Sequence, residues 1–217
     1  MKNKIFRFIS LSTSRKIQFV SNIFYLIKTQ YFYKFLFKSV GKKTIIKKPM
    51  ILTYEYISLG ENCMILNDAR IEGISEYSGI NYKPCIVIGN NVSFGQRLTI
   101  TAINNLTIGD GTLGSFDIMI TDIDHEYQDI YESIDKQPLI YSETRIGENC
   151  FIGSGVKIQA GTILGQHCIV GANAVVRGHF PDYCVIVGVP AKIVKRYDPI
   201  KKIWRKTNRD GNFIDYD

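Results

Sequence analysis

Residues 145–176 predict a parallel β-helix, an all-β fold, and three observations carry that prediction. An aliphatic residue recurs every six positions without a slip, at Ile146, Ile152, Ile158, Leu164, Val170 and Val176. Glycine follows four of these anchors, at Gly147, Gly153, Gly165 and Gly171. Four positions after an anchor stands a small or β-branched residue: Cys150, Val156, Thr162, Cys168 or Ala174. A period of six suits neither an amphipathic helix, which repeats at 3.6, nor a single strand, which repeats at 2. It suits short strands joined by like turns. Each anchor then points inward, and the residue after it is expected to turn tightly, which Gly does at low steric cost. Three such faces close one triangular coil of about 18 residues, and stacked coils share one core.

The same pattern extends upstream. Anchors stand at Leu59, Ile65 and Ile71, with Cys63 and Ala69 in the small positions, and again at Ile88, Phe94, Ile100 and Ile108. Gly114 falls where an anchor belongs before Ile120, so either Leu113 slips inward or the coil bulges locally. Residues 74–85 break the period and should loop out. Residues 122–143 form the longest interruption, carrying Asp122, Asp124, Glu126, Asp129, Glu132, Asp135 and Glu143 against Lys136. A long loop interrupting a regular scaffold usually carries function. After Val176 the chain leaves the coils, and residues 197–204 read as a short hairpin or helix. The expected division is a basic amphipathic helical arm at 1–44, a β-helix domain at 45–188 with its loop at 122–143, and a C-terminal extension at 189–217.

At 217 residues the chain suits one domain with a sizeable core, and 45% hydrophobic residues with 18 Gly fit a turn-rich globular protein. The net charge of +7 is unevenly placed: residues 1–50 hold 12 of the 27 Lys and Arg and no Asp or Glu. Within that arm Ile17, Val20, Phe24, Ile27, Tyr31 and Phe35 recur at helical spacing, with Lys16, Lys28, Lys34 and Lys38 among them. One or two amphipathic helices with an aromatic face follow. That face has two uses. It can cover the open end of the β-helix, whose strand edges need partners, or it can rest on an anionic membrane surface. No recognition motif accompanies the basic arm, which speaks against nucleic acid.

The five cysteines form no C-x-x-C pair. Cys63, Cys150 and Cys168 fall on the small inward position, so packing explains them, and a reducing compartment is the expectation. No cleavable signal is evident, because Arg7 interrupts the one early apolar run, and the later run at 19–27 is too short to span a bilayer. The expected location is the cytoplasm, free or at the inner face of the membrane.

The phrase RIGENCFIGSGVKIQAGTILGQHCIVGANAVV, followed by VGVPAKIV, resembles the hexapeptide-repeat acyltransferases, and among them the polysaccharide and sugar O-acetyltransferases. The resemblance covers residues 57–197. It implies a left-handed β-helix, a homotrimer, and acetyl-CoA bound as co-substrate in a groove between subunits. It makes His125 the general base, a neutral imidazole that takes a proton from a sugar hydroxyl as the oxygen attacks the thioester. Asp122 or Asp124 would orient the ring, and a backbone N–H would hold the oxyanion. Phe151 would pack on the pantetheine arm, Ser154 and Ala172 would offer backbone groups, and Lys192 and Lys195 would lie near the nucleotide phosphates. The chain departs from the family pattern at Arg177-Gly178-His179, where Thr-Lys-Asp is common, and Arg177 would take the Lys role. His167 stands at a repeat corner and His179 in the exit segment. The three histidines lie 42 and 12 residues apart, a spacing unlike the zinc site of the γ-class carbonic anhydrases that share this fold, so no metal is expected.

The expected function is therefore O-acetylation of a sugar hydroxyl in a bacterial-type surface polysaccharide, such as O-antigen, capsule or exopolysaccharide, or in its precursor. The rivals are N-acetylation of a nucleotide-linked amino sugar and acetylation of a xenobiotic. A purely structural β-helix is the non-enzymatic alternative, against which His125 in an interrupting loop argues.

Overall fold

The computed structural model describes residues 10–208 and 211–214; Arg7 and the start of the arm lie outside them. Three parallel sheets form the faces of a prism. The first stacks Ser39–Val40, Ile57–Leu59, Cys85–Ile88, Asn105–Ile108, Thr144–Ile146, Ile163–Leu164 and His179–Phe180. The second stacks Ile45–Ile46, Met64–Ile65, Ser93–Phe94, Leu113–Gly114, Phe151–Ile152, Ile169–Val170 and Cys184–Gly188. The third holds Ile51–Leu52, Arg70–Gly73, Thr99–Ala102, Met119–Thr121, Lys157–Ile158 and Val175–Val176. The chain visits the three in rotation, and each circuit pairs in parallel with the last, as a left-handed β-helix does. All six anchors from Ile146 to Val176 are buried in one core. The first coil begins at Ser39, which pairs with Ser58, a few residues before the expected boundary at 45.

The glycines after the anchors have a different reason from the one expected. Gly147 does not adopt a left-handed backbone; the residue that does is Asn149, with φ 56°. A Cβ on Gly147 would instead come within 2.5 Å of the Gly165 carbonyl carbon in the next coil. Close stacking of successive turns excludes the side chain there.

Gly114 also resolves in an unexpected way. The register runs unbroken from Phe94 through Gly114 to Ile152, and Leu113 stays outside. A Cβ on Gly114 would overlap the edge of the Phe94 ring. The large anchor of one coil fills the place left by the absent anchor of the next, so neither a slip nor a bulge is needed.

The small inward positions between the first and second sheets do more than fill space. Thr44 Oγ1 donates to the Gly60 carbonyl at 2.6 Å, Thr112 Oγ1 to Gly147 at 3.1 Å, and Cys63 Sγ to Gly89 at 3.0 Å. Cys150 and Cys168 repeat the contact to Gly165 and Pro181. Burial pushes the Cys63 thiol up, which keeps it a protonated donor.

Among the described residues the arm forms one α-helix, α1, Thr13–Tyr31, with Ser12 at its N-cap, then a tight turn at Tyr33–Phe35. It does cover the open end, but not with the aromatic stripe. The buried residue is Thr29, whose Oγ1 accepts from the Ile46 N–H at 3.0 Å and donates to the Tyr25 carbonyl. Gln30 Nε2 donates to the carbonyls of Gly41 and Thr44. These bonds satisfy strand-edge groups that would otherwise be stranded. Phe37 plugs the end of the core against Tyr33 and Tyr54. Ile17, Val20, Phe24, Ile27, Tyr31 and Phe35 all remain exposed, by 49% at the least. No described helix is long and apolar enough to cross a membrane.

At the other end the second sheet continues antiparallel through Ala191–Asp198 and Ile203–Lys206, with Tyr197 opposite Trp204. The extension is thus a hairpin, its turn held by Asp198, which accepts from the N–H groups of Ile200 and Lys201.

Candidate active site

Both interruptions leave the coils at the same corner, between the third sheet and the first. Residues 74–85 fold into a small hairpin, Glu76–Tyr77 against Ile80–Asn81. Residues 122–143 begin with a second hairpin, Ile123–His125 against Leu139–Tyr141. The tip closes on Gln137, whose Nε2 donates to the carbonyls of Asp129 and Glu132, both at 2.9 Å.

The two insertions dock on each other. Tyr82 Oη accepts from the Leu139 N–H at 2.9 Å, and Ser78 Oγ donates to the Lys136 carbonyl at 2.6 Å. Tyr77 meets the imidazole of His125 edge-on, with ring centroids 5.7 Å apart. These residues were not foreseen as site residues. The available signal was a pair of tyrosines in an insertion that leaves the coil at the same corner as the acidic one.

His125 itself is exposed, at the end of a short strand whose partner Leu139 is buried. Its ring can reach a solvent-borne acceptor while the hairpin fixes its backbone. Neither expected aspartate is hydrogen-bonded to it. Asp122 is wholly buried and accepts from the N–H groups of Ile103 at 2.9 Å and Asn104 at 3.1 Å. It pins the turn of the coil beneath, and burial pushes its carboxyl up against the pull of those donors. Asp124 points to Arg177, with Oδ2 2.6 Å from a guanidinium nitrogen. Adjacent strand residues face opposite ways, so Asp124 and His125 diverge. The orienting role expected of the aspartates thus has no geometric support, whereas Tyr77 packs against the ring.

The residues expected to hold the acyl donor fall into three places. Phe151 is exposed on the outer face of the second sheet, below Ile169, Val185 and then Lys195 in register. Lys192, three residues before Lys195 on the same strand, is exposed opposite Val187. Ser154 and Ala172 stand one coil apart at the corner between the second and third sheets, where the Asn173 N–H donates to the Ser154 carbonyl. Arg177 lies at the corner of His125 and is engaged by Asp124. Among the described residues no cluster of His, Cys, Asp and Glu could hold a metal ion.

The other histidines lie elsewhere. His179 is exposed on the first sheet, opposite Ile163. His167 is stacked on Trp204 and neighbours Tyr183 at another corner, beside a cleft of about 730 Å³ that also includes Asp182 and Arg196. That cleft is remote from His125 along the coil.

Residues 143–178 match the bacterial transferase hexapeptide model of six repeats. WbbJ of Escherichia coli K12, which carries the provisional name lipopolysaccharide biosynthesis O-acetyl transferase, is 36% identical over 158 residues, covering 66% of this chain and 81% of WbbJ. The galactoside O-acetyltransferase of the same strain is 28% identical over 150 residues, covering 69% of this chain and 68% of that protein. Among solved structures, a variant of AntD, an N-acyltransferase from Bacillus cereus, superposes with a TM-score of 0.64 at 19% identity, over 77% of this chain and 88% of that one, and so shares the fold. The unbroken hexads, the three rotating sheets and the extent of the match to WbbJ place this chain in the hexapeptide-repeat acetyltransferase family.

Proposed function

We propose that this acetyltransferase moves an acetyl group from acetyl-CoA to a hydroxyl of a sugar in a surface polysaccharide or its precursor, with His125 as the general base. The observation that carries the reading is the exposed imidazole of His125, held at the root of a folded insertion and braced by Tyr77. The names of WbbJ and of the galactoside enzyme support a sugar hydroxyl as acceptor.

The chemistry asks little of the side chains. Neutral His125 accepts the hydroxyl proton while the oxygen attacks the thioester carbonyl. The tetrahedral intermediate collapses and expels the CoA thiolate, which takes the proton back from the imidazolium. No covalent enzyme intermediate is needed when both substrates are bound together. Phe151, Ile169 and Val185 would flank the apolar part of the donor, and Lys195 at the end of the same column, with Lys192 on the same strand, would attract its phosphates.

The same layout supports assembly. Ser154 and Ala172 stand at the opposite edge of the third sheet from the corner at which the His125 hairpin leaves the coils. One chain therefore presents the base at one corner and the donor track at another. In a homotrimer the base of one subunit would meet the donor track of its neighbour, and the site would be shared.

The test is acetyl transfer from acetyl-CoA to a panel of glycans and nucleotide-linked amino sugars, with the product linkage identified. Ester formation on a sugar hydroxyl, abolished in His125→Ala, supports the reading. Amide formation on an amino sugar with no ester product would replace it with the N-acetyltransferase reading. An active monomer in light scattering would remove the shared site.

A further inference from the structure

We propose that the exposed face of α1, with the turn that follows it, is a docking surface for anionic lipid, so that the protein lies against a membrane without crossing it. This goes beyond the acetyl-transfer reading and does not depend on it. The first observation is an inverted polarity. Through Thr29 and Gln30 the helix seats itself on the first coil by polar bonds. Its apolar side chains look the other way. Ile17, Val20, Phe24, Ile27 and Tyr31 follow one another at three- and four-residue steps, which is a single line on a helix of 3.6 residues per turn. All five are exposed, and Phe35 and Leu36 prolong the line at 81% and 54% exposure. A helix of 19 residues lying flat would present this line over about 28 Å. Apolar surface so continuous marks an interaction site.

Charge selects the occupant. Lys34 and Lys43 stand beside Ile27 and Tyr31 around one shallow hollow, and the Lys28 ammonium lies 4.8 Å from the centre of the Tyr33 ring. Residues 1–50 contain no Asp or Glu to offset them. A second copy of the chain would bring the same positive face against this one, and like charges would oppose the contact. An anionic lipid surface accepts both features, since aromatic and aliphatic side chains enter the headgroup boundary while lysines meet the phosphates.

The experiment is sedimentation of the 217-residue chain with vesicles of phosphatidylcholine alone, or of phosphatidylcholine with phosphatidylglycerol, across a salt series. The expected result is binding to the anionic vesicles that weakens as salt rises. Lys34→Gln and Lys43→Gln should each lower partitioning about fivefold at low salt. The triple variant Phe24→Gln, Ile27→Gln, Phe35→Gln should stay in the supernatant, with an unchanged melting temperature because the three side chains are exposed. Acetyl transfer to a soluble acceptor should be unchanged in all of them, so a failure here is distinct from a failure of the catalytic reading. The proposal is overturned if the wild type ignores anionic vesicles at low salt, or if the triple variant binds them as well as the wild type. It is also overturned if the triple variant lowers the mass in solution without altering vesicle binding, since the face would then join copies of the chain.

Discussion

Two corners of the same prism are built from the same hexad and have opposite fates. At the corner between the first and second sheets, Thr44, Cys63, Val92, Thr112, Cys150, Cys168 and Cys184 are all buried, and no insertion interrupts them. At the corner between the third and first sheets the chain leaves twice, through residues 74–85 and 122–143, and there it gathers His125, Tyr77, Tyr82 and the Asp124–Arg177 pair. Stacking explains the contrast. An inward position is bounded by coils above and below, so a small or β-branched residue fits there, and where it is Thr44, Cys63, Thr112, Cys150 or Cys168 it also donates to a carbonyl of the next coil. Where the chain steps out of register that constraint lapses, and exposed polar groups can be collected and braced by docking the two insertions on each other. On the proposed reading the base stands where the repeat fails, while the regular stack stands where it does not.

Substitutions can break that separation. The largest expected effect is His125→Ala, which should reduce turnover by about 10²- to 10⁴-fold while leaving the melting temperature unchanged, because the ring is exposed. Turnover near that of the wild type would remove the assignment. Next comes Asp122→Ala, which strands two backbone N–H groups and should cost about 1–3 kcal/mol in a denaturant titration. Because burial holds the folded-state carboxyl above its unfolded value, its linkage contribution is present at acid pH and fades as pH rises through the folded value. The variant should lose that slope. Gly114→Ala tests the regular stack: overpacking against Phe94 should cost about 1–3 kcal/mol, and adding Phe94→Leu should return part of it. An additive double variant would mean that ring and glycine are not complementary. The smallest effect belongs to Arg177→Ala, whose half-exposed ion pair should contribute no more than about 1 kcal/mol to stability. If Arg177 also serves the acyl donor, its loss should raise KM for acetyl-CoA more than it lowers kcat.

Much of the fold was legible because a hexad has one consistent solution. Ile146 to Val176 were readable as inward anchors from spacing alone, and each is buried. The reason for the accompanying glycines was not readable, since spacing cannot distinguish a turn that needs a left-handed residue from a turn stacked too closely for a Cβ. Nor could the sequence show that Gly114 needs neither a slip nor a bulge, because the compensating volume belongs to Phe94, a full coil away. His125 was visible as a lone imidazole in an interrupting loop, and the resemblance to the acyltransferases supplied its expected role. Its bracing was not visible. Asp122 and Asp124 are adjacent in sequence and suggested a shared task, yet one turns inward to Ile103 and Asn104 and the other outward to Arg177.

By itself, then, the sequence determined the β-helix, the corner at which it is interrupted and the amphipathic arm, since periodicity and charge are properties of the chain taken in order. The tertiary structure decided which residues meet across that order: Tyr77 with His125, Arg177 with Asp124, Phe94 with Gly114. It also decided which face of α1 looks outward. The helical pattern marks an apolar stripe but not its partner, and the first coil offers α1 unpaired strand-edge groups at Gly41, Thr44 and Ile46. Hydrogen-bonding those groups requires Thr29 and Gln30, so the polar side of the helix turns inward and the apolar side is left exposed.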